Sequence, residues 1–254
     1  GLGLIPLVNK EKGAELLERV TKMRRESALD LGLVVPPIRI IDNTRLEPSE
    51  YSFKIKGVEI GRSKIRMGCY MCMDTGGVIN KIAGEATVEP AFNLPAIWVT
   101  EDKREEAERS GYSVIDPPTI IATHLTELIK KYAADILGRQ EVKAMLDALQ
   151  EKYPAVVEEV TKIFTMGQIQ KVLQGLLKEQ VSIRNLVVIL ETISDFGGVT
   201  KDTYDLVEKV RQALGRQICL QYADERSTLH VFTVDPQFIS TIVTVVLARI
   251  LLPE

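Results

Sequence analysis

At 254 residues, 45% hydrophobic and 26% charged, the chain has an ordinary globular composition and is long enough to bury a core without disulfide staples. Lys and Arg number 32 against 35 Asp and Glu, and the resulting charge of −3 excludes the strong basic field that nucleic-acid binding requires. Three cysteines cannot all pair and no signal peptide opens the chain, which points to a reducing, intracellular setting.

The chain starts at GLGLIPLV without an initiating Met, as expected for a piece of something longer. Leu16, Val20 and Met23, with Leu17, Ala28 and Leu31 beside them, predict a helix that stops at Gly32. Residues 33–41 are rich in Val and Ile but carry Pro36 and Pro37, so they read as an edge strand. Asp42 and Asn43 signal a turn. Tyr51, Phe53 and Ile55 alternate as a strand, with Gly57 at a turn or bulge. Residues 64–74 read as one further strand, followed by a loop at Gly76 and Gly77. Residues 87–98 hold two prolines and read as an ordered loop running into a strand. A charged helix over 101–110, ending at Gly111, and a short strand over 112–115 come next. Pro117 and Pro118 then break the chain, and Thr119 is the expected cap of a helix bearing Ile121, Leu125, Leu128 and Tyr132.

From Leu137 the pattern is helical for about eighty residues, with successive apolar stripes that predict a compact bundle. Ile218, Leu220 and Tyr222 alternate, as do Leu229, Val231 and Val234, and the polar stretch between them predicts a β-hairpin. The apolar run over 238–252 is shorter than the ~20 residues a membrane span needs, and it includes Ser240, Thr241, Thr244 and Arg249. It predicts an amphipathic or buried helix. The fold class is therefore α+β with several subdomains: mixed α/β, then all-helical and winged-helix-like, then α/β again.

No catalytic constellation emerges, so the chain is expected not to be an enzyme and to use no cofactor. Its two histidines, His124 and His230, fall in no metal spacing and read as packing or surface residues. Cys69 and Cys72 form a CxxC, but on a strand, where positions i and i+3 point to opposite faces. No second CxxC completes a zinc site. A redox or metal protein built on this pair is thus the weaker alternative. Phosphate-binding glycine motifs and the nucleophile elbow are absent. Residues 168–194 have helix-turn-helix lengths, but the second helix is too apolar to read a groove. One segment stands apart. TVEPAFNLPAIW, residues 87–98, sets a carboxylate, a Phe, two prolines and the sole Trp in a loop, the composition of a protein-docking notch.

The strings TVEPAFNLPAIWV, GYSVIDPPTIIATHL, ILGRQEVKAMLD, KEQVSIRNLVVILETI and VRQALGRQICLQY, in this order, resemble the cytoplasmic region of the FlhA family of flagellar type III export-gate proteins. Injectisome export gates are the near relatives and the alternative branch. The resemblance implies four subdomains: residues 1–67 with 117–136, an insertion at 68–116, a helical part at 137–216, and a C-terminal part from 217 that ends early at 254. It implies a docking site for export chaperone–substrate complexes at Glu89, Phe92, Ile115 and Thr123, with no catalytic residue and no metal. It further implies a homo-oligomeric ring, contacts with other export-apparatus proteins including the export ATPase complex, and no nucleic-acid partner. The whole protein would be membrane-embedded, with this part at the cytoplasmic face of the bacterial inner membrane.

Overall fold

The computed structural model describes residues 1–9, 14–231, 235–238 and 240. They form two compact units, Gly1–Ala213 and Leu214–Glu254.

In the first unit, helix α1 (Glu15–Leu31) buries Leu16, Met23 and Leu31 of the predicted stripe and Ser27 beside them, with Leu17, Val20 and Ala28 half-buried. It ends where expected, at Gly32, whose φ of +74° suits glycine. Gly32 is also a point of close approach: a Cβ there would lie 2.3 Å from the Arg184 nitrogen. Beside it the Ile183 N–H donates to the Leu31 carbonyl at 2.9 Å.

The predicted edge strand over 33–41 does not form. The segment is irregular, with Leu33 and Val35 buried and Val34 exposed, so alternation survives without pairing. Pro36 and Pro37 remove two consecutive donors. The Val35 carbonyl is instead taken by Arg24, whose Nε and Nη2 donate at 3.0 and 2.9 Å.

Strands β1 (Glu50–Ile55) and β2 (Val58–Lys64) form an antiparallel hairpin. Its two-residue turn has positive φ at both Lys56 and Gly57, the mirror-image turn that matches strand twist. The single strand expected over 64–74 is instead split. β2 ends at Lys64, Gly68 turns the chain at φ +75°, and β3 (Cys69–Met73) enters a different sheet. That sheet has order β4-β5-β3-β6, with β4 (Glu85–Val88), β5 (Pro95–Thr100) and β6 (Ser113–Ile115), all antiparallel. Residues 87–98, expected as a loop leading to one strand, are thus most of a β4–β5 hairpin. Helix α2 (Arg104–Arg109) lies between β5 and β6 and buries Ala107 on the sheet face that carries Cys72 and Val99.

The opposite face carries Met71, Ala96 and Trp98 into a core shared with Leu4, Leu7, Leu16, Tyr51, Ile65, Ile120 and Ile121. The last two belong to α3 (Pro117–Lys131). Its cap is Asp116, whose Oδ1 accepts from the Thr119 N–H at 2.9 Å. Thr119, the expected cap, is the donor. The two prolines occupy the first helical positions, where an N–H has no intrahelical partner, so the helix starts one turn earlier than the break signal suggests.

After the short α4 (Ala133–Ile136) come α5 (Arg139–Gln150), α6 (Pro154–Ile163), α7 (Met166–Lys178), α8 (Leu186–Phe196) and α9 (Thr203–Ala213), as the apolar stripes predict. Val142, Val160, Leu176, Ile189, Leu190, Leu206 and Val210 are fully enclosed. Thr165 and Gln168 make a reciprocal capping box that starts α7. From α7, Gln174 Nε2 donates to the carbonyls of Ala134 and Leu137, occupying acceptors that the end of α4 leaves free.

In the second unit, the first arm of the predicted hairpin is helix α10 (Gly215–Tyr222). Ile218, Leu220 and Tyr222 alternate, but over only two turns an alternation does not separate the two periods, and no partner strand is formed by 229–231. The polar stretch is a turn built on Asp224, whose carboxylate accepts from the N–H groups of Arg226 and Thr228. Val234 and most of the predicted final helix lie outside the described residues.

Gly32→Ala is expected to lower stability by more than the ~1–2 kcal/mol of left-handed strain alone, because the new Cβ also meets the Arg184 backbone. Gly57→Ala, with φ +85° and open space around it, isolates the strain. Urea midpoints of the two variants compare the effects, and equal shifts would mean that the Gly32 contact carries no weight.

Candidate functional site

The four residues that the resemblance singles out sit at the base of the four-stranded sheet and on α3. Glu89 and Phe92 lie in the turn between β4 and β5. This turn is closed by Glu89 N–H donating to the Leu94 carbonyl at 2.8 Å, with Asn93 at φ +57°. Pro90 has no N–H, and the next two, of Ala91 and Phe92, both point back to the Glu89 carboxylate. Oε1 accepts from Ala91 at 2.9 Å and Oε2 from Phe92 at 2.7 Å. Such a nest of successive amides suits an anion. Glu89 is only 2% exposed, whereas Phe92 is 54% exposed. Ile115 ends β6 opposite Met71 and packs, half-buried, against the shared core. Thr123 is half-buried on α3.

Next to Thr123, His124 is buried. Its Nδ1 lies 2.9 Å from the Tyr51 hydroxyl. Tyr51, Phe53 and His124 form an edge-to-face trio with centroids 5.2 to 5.8 Å apart. A Cβ on Gly61 would lie 3.2 Å from His124 Nε2 and 2.5 Å from Leu128 Cδ1, so glycine lets β2 approach α3 here. Burial pushes the His124 pKa down, partly offset by the negative charge of Glu89. Burial raises the Tyr51 pKa, with a hydrogen bond from Ser63 opposing it and Glu89 adding to it. The Glu89 charge thus acts on both rings in the same direction, favouring the protonated form of each. Nothing in the sequence spacing joins Tyr51 to His124, 73 positions apart.

The cysteine pair behaves as strand geometry requires. Cys69 packs on the face of the shared core and Cys72 on the opposite face with Val99 and Ala107. Burial pushes the Cys72 thiol up to about 11, the reverse of what a reactive thiol needs. Among the described residues no group of three or more His, Cys, Asp or Glu is placed to hold a metal ion, and no helix is long and apolar enough to cross a membrane.

The architecture places the chain first in a class. CdsV of Chlamydia pneumoniae shares its fold with a TM-score of 0.77 at 28% identity, over 88% of this chain and 65% of that one. A nonameric SctV-C from EPEC shares the fold at 22% identity with a TM-score of 0.67, over 91% of this chain and 78% of that one. The fold is thus that of the cytoplasmic domains of type III export gates. The family model FHIPEP matches residues 1–249, and the chain belongs to the FHIPEP family. Flagellar biosynthesis protein FlhA of Treponema pallidum is 59% identical over 238 residues, 92% of this chain. The FlhA of Borreliella burgdorferi is 54% identical over 238 residues, 94% of this chain. The chain spans 34% of the length of each.

His124 gives the site a testable pH signature. With its folded pKa below the unfolded value near 6.5, the unfolded chain binds the extra proton, so stability falls as pH drops through about 6.5 toward the folded pKa. Denaturation midpoints taken from pH 7 to 5 should decline in the wild type. The decline should be shallower in His124→Gln, and an unchanged slope would remove His124 as its source.

Proposed function

We propose that this chain is the part of a flagellar type III export gate on which export chaperones, each carrying a substrate, dock before the substrate passes to the export channel. The observation that carries the reading is Phe92: a large apolar ring, more than half exposed, held out by a turn whose base is buried. Exposed aromatics on rigid supports are the usual anchors of protein interfaces. Phe92 and Ile115 supply the apolar area, Thr123 a hydroxyl at the margin, and Glu89 the anchored turn. A chaperone helix with one apolar stripe fits that chemistry. The strings that resemble FlhA, and the FlhA relatives at 59% and 54% identity, favour the flagellar over the injectisome branch.

The proposal extends to the whole protein. This chain belongs to an inner-membrane protein and faces the cytoplasm; it works without catalysis, cofactor or nucleic acid, by presenting a surface. Nonameric relatives of the same fold support assembly into a homo-oligomeric ring, and the solved complex of CdsV with CdsO supports binding of a further protein; contacts with the export apparatus, its ATPase complex included, are part of the same proposal. The division into residues 1–67 with 117–136, 68–116, 137–216 and 217 onward is proposed for its parts.

Phe92→Ala is expected to weaken binding of an export chaperone–substrate complex by roughly 1–3 kcal/mol, about fivefold to 150-fold in Kd, and to leave the fold intact because the ring is more than half exposed. Isothermal titration reads the change, and circular dichroism checks that the fold is intact. An unchanged affinity in a folded variant would overturn the docking site.

A further inference from the structure

We propose that Glu89 serves the docking surface from beneath, as the positioning residue that shapes the turn bearing Phe92, and makes no contact with the docked partner. The inference rests on the docking reading above and changes the part Glu89 plays in it. A residue that meets a partner through hydrogen bonds needs an accessible polar atom. Glu89 is 2% exposed, and each of its carboxylate oxygens already receives a backbone N–H, from Ala91 at 2.9 Å and from Phe92 at 2.7 Å. The oxygens have lone pairs to spare, but at this exposure a partner could reach them only if the turn opened.

What those bonds accomplish is local. The turn has few means of holding itself. Pro90 donates nothing, Asn93 sits in the left-handed region, and the only closing bond between backbone atoms is Glu89 N–H to the Leu94 carbonyl. The two amides gathered by the carboxylate are those of Phe92 and the residue before it, so they fix the backbone from which the exposed ring departs. The amide whose donor bond is shortest belongs to Phe92 itself. A fixed ring loses less freedom on binding than one on a loose turn. Glu89 would therefore act on affinity through Phe92 alone.

Glu89→Gln keeps the size of the side chain but presents an NH2 group to one of the two N–H donors, so one bond is lost. Two measurements on the 254-residue protein test the proposal. The first is amide hydrogen exchange at Ala91 and Phe92, which should accelerate about tenfold for the loss of one charge-assisted bond, while the β5 amides and the thermal midpoint hold. The second is a double-mutant cycle with Phe92→Ala, titrated with a flagellar export chaperone bound to its cargo. Glu89→Gln alone should weaken binding about tenfold, and should weaken it no further once Phe92 is Ala. Losses that add in the double variant would overturn the proposal, because an independent contact would then be at work. Unaltered exchange at both amides would overturn it too. If Phe92→Ala itself leaves the affinity unchanged, the docking reading fails with it, whereas an effect of Phe92→Ala without one of Glu89→Gln defeats the positioning role alone. Should Glu89→Gln not fold, Glu89→Asp, which keeps the charge but shortens its reach, enters the same two measurements.

Discussion

The structure of the first unit depends on one shared core. Trp98, Met71 and Ala96 leave the four-stranded sheet on one face and meet Ile120 and Ile121 of α3, Tyr51 and Ile65 of the hairpin region, and Leu4, Leu7 and Leu16 near the N-terminus. Each fully buried large side chain of this kind contributes about 1.5–3 kcal/mol. No single sheet here could supply such a core: the β1–β2 hairpin has two strands, and two-stranded hairpins are marginal by themselves. The four-stranded sheet is therefore fastened to the β1–β2 hairpin region and α3 by side chains of one shared core. β5, which carries Ala96 and Trp98 into this core, begins directly after the turn that bears Phe92.

Polar groups at this edge are settled in pairs. Tyr51 and His124 satisfy one another, Asp116 starts α3 and also binds Arg19 of α1 at 2.9 Å, and Glu89 takes two amides of its own turn. Burying such groups without partners would cost several kcal/mol. The apolar ring of Phe92 is the part left outside. In this turn a fully engaged polar base carries an exposed apolar tip.

Much of this was legible in the sequence. Helix positions followed from apolar spacing, as at Leu16 and Met23 or at Ile169 and Leu173, because a helix face repeats many times within one segment. The opposed faces of Cys69 and Cys72 followed from strand geometry alone. Failures came where the pattern was short or the deciding partner distant. Residues 33–41 have strand composition, but pairing needs a neighbour, and the Arg24 side chain took the Val35 carbonyl instead. Alternation over 218–222 is too brief to exclude a helix. At the site, the segment containing Phe92 stood out by composition, yet the burial of Glu89 and the bond between Tyr51 and His124 are tertiary facts with no local signature. Asp116 was a readable cap that the two following prolines obscured.

The close contact at Gly32 has a mechanical consequence. The helical block is covalently joined to the α/β part through residues 132–138, and it is fastened a second time where Ile183 and Arg184 meet Leu31 and Gly32. A body held at one point can swing, whereas a body held at two can turn only about the line joining them. The backbone bond between Ile183 and Leu31 opposes separation of the two parts at this point. Because glycine places no side chain in that gap, there is no compliant methyl or methylene to absorb the motion. The two parts are thus joined at two places, once through the chain and once through the backbone bond beside Gly32.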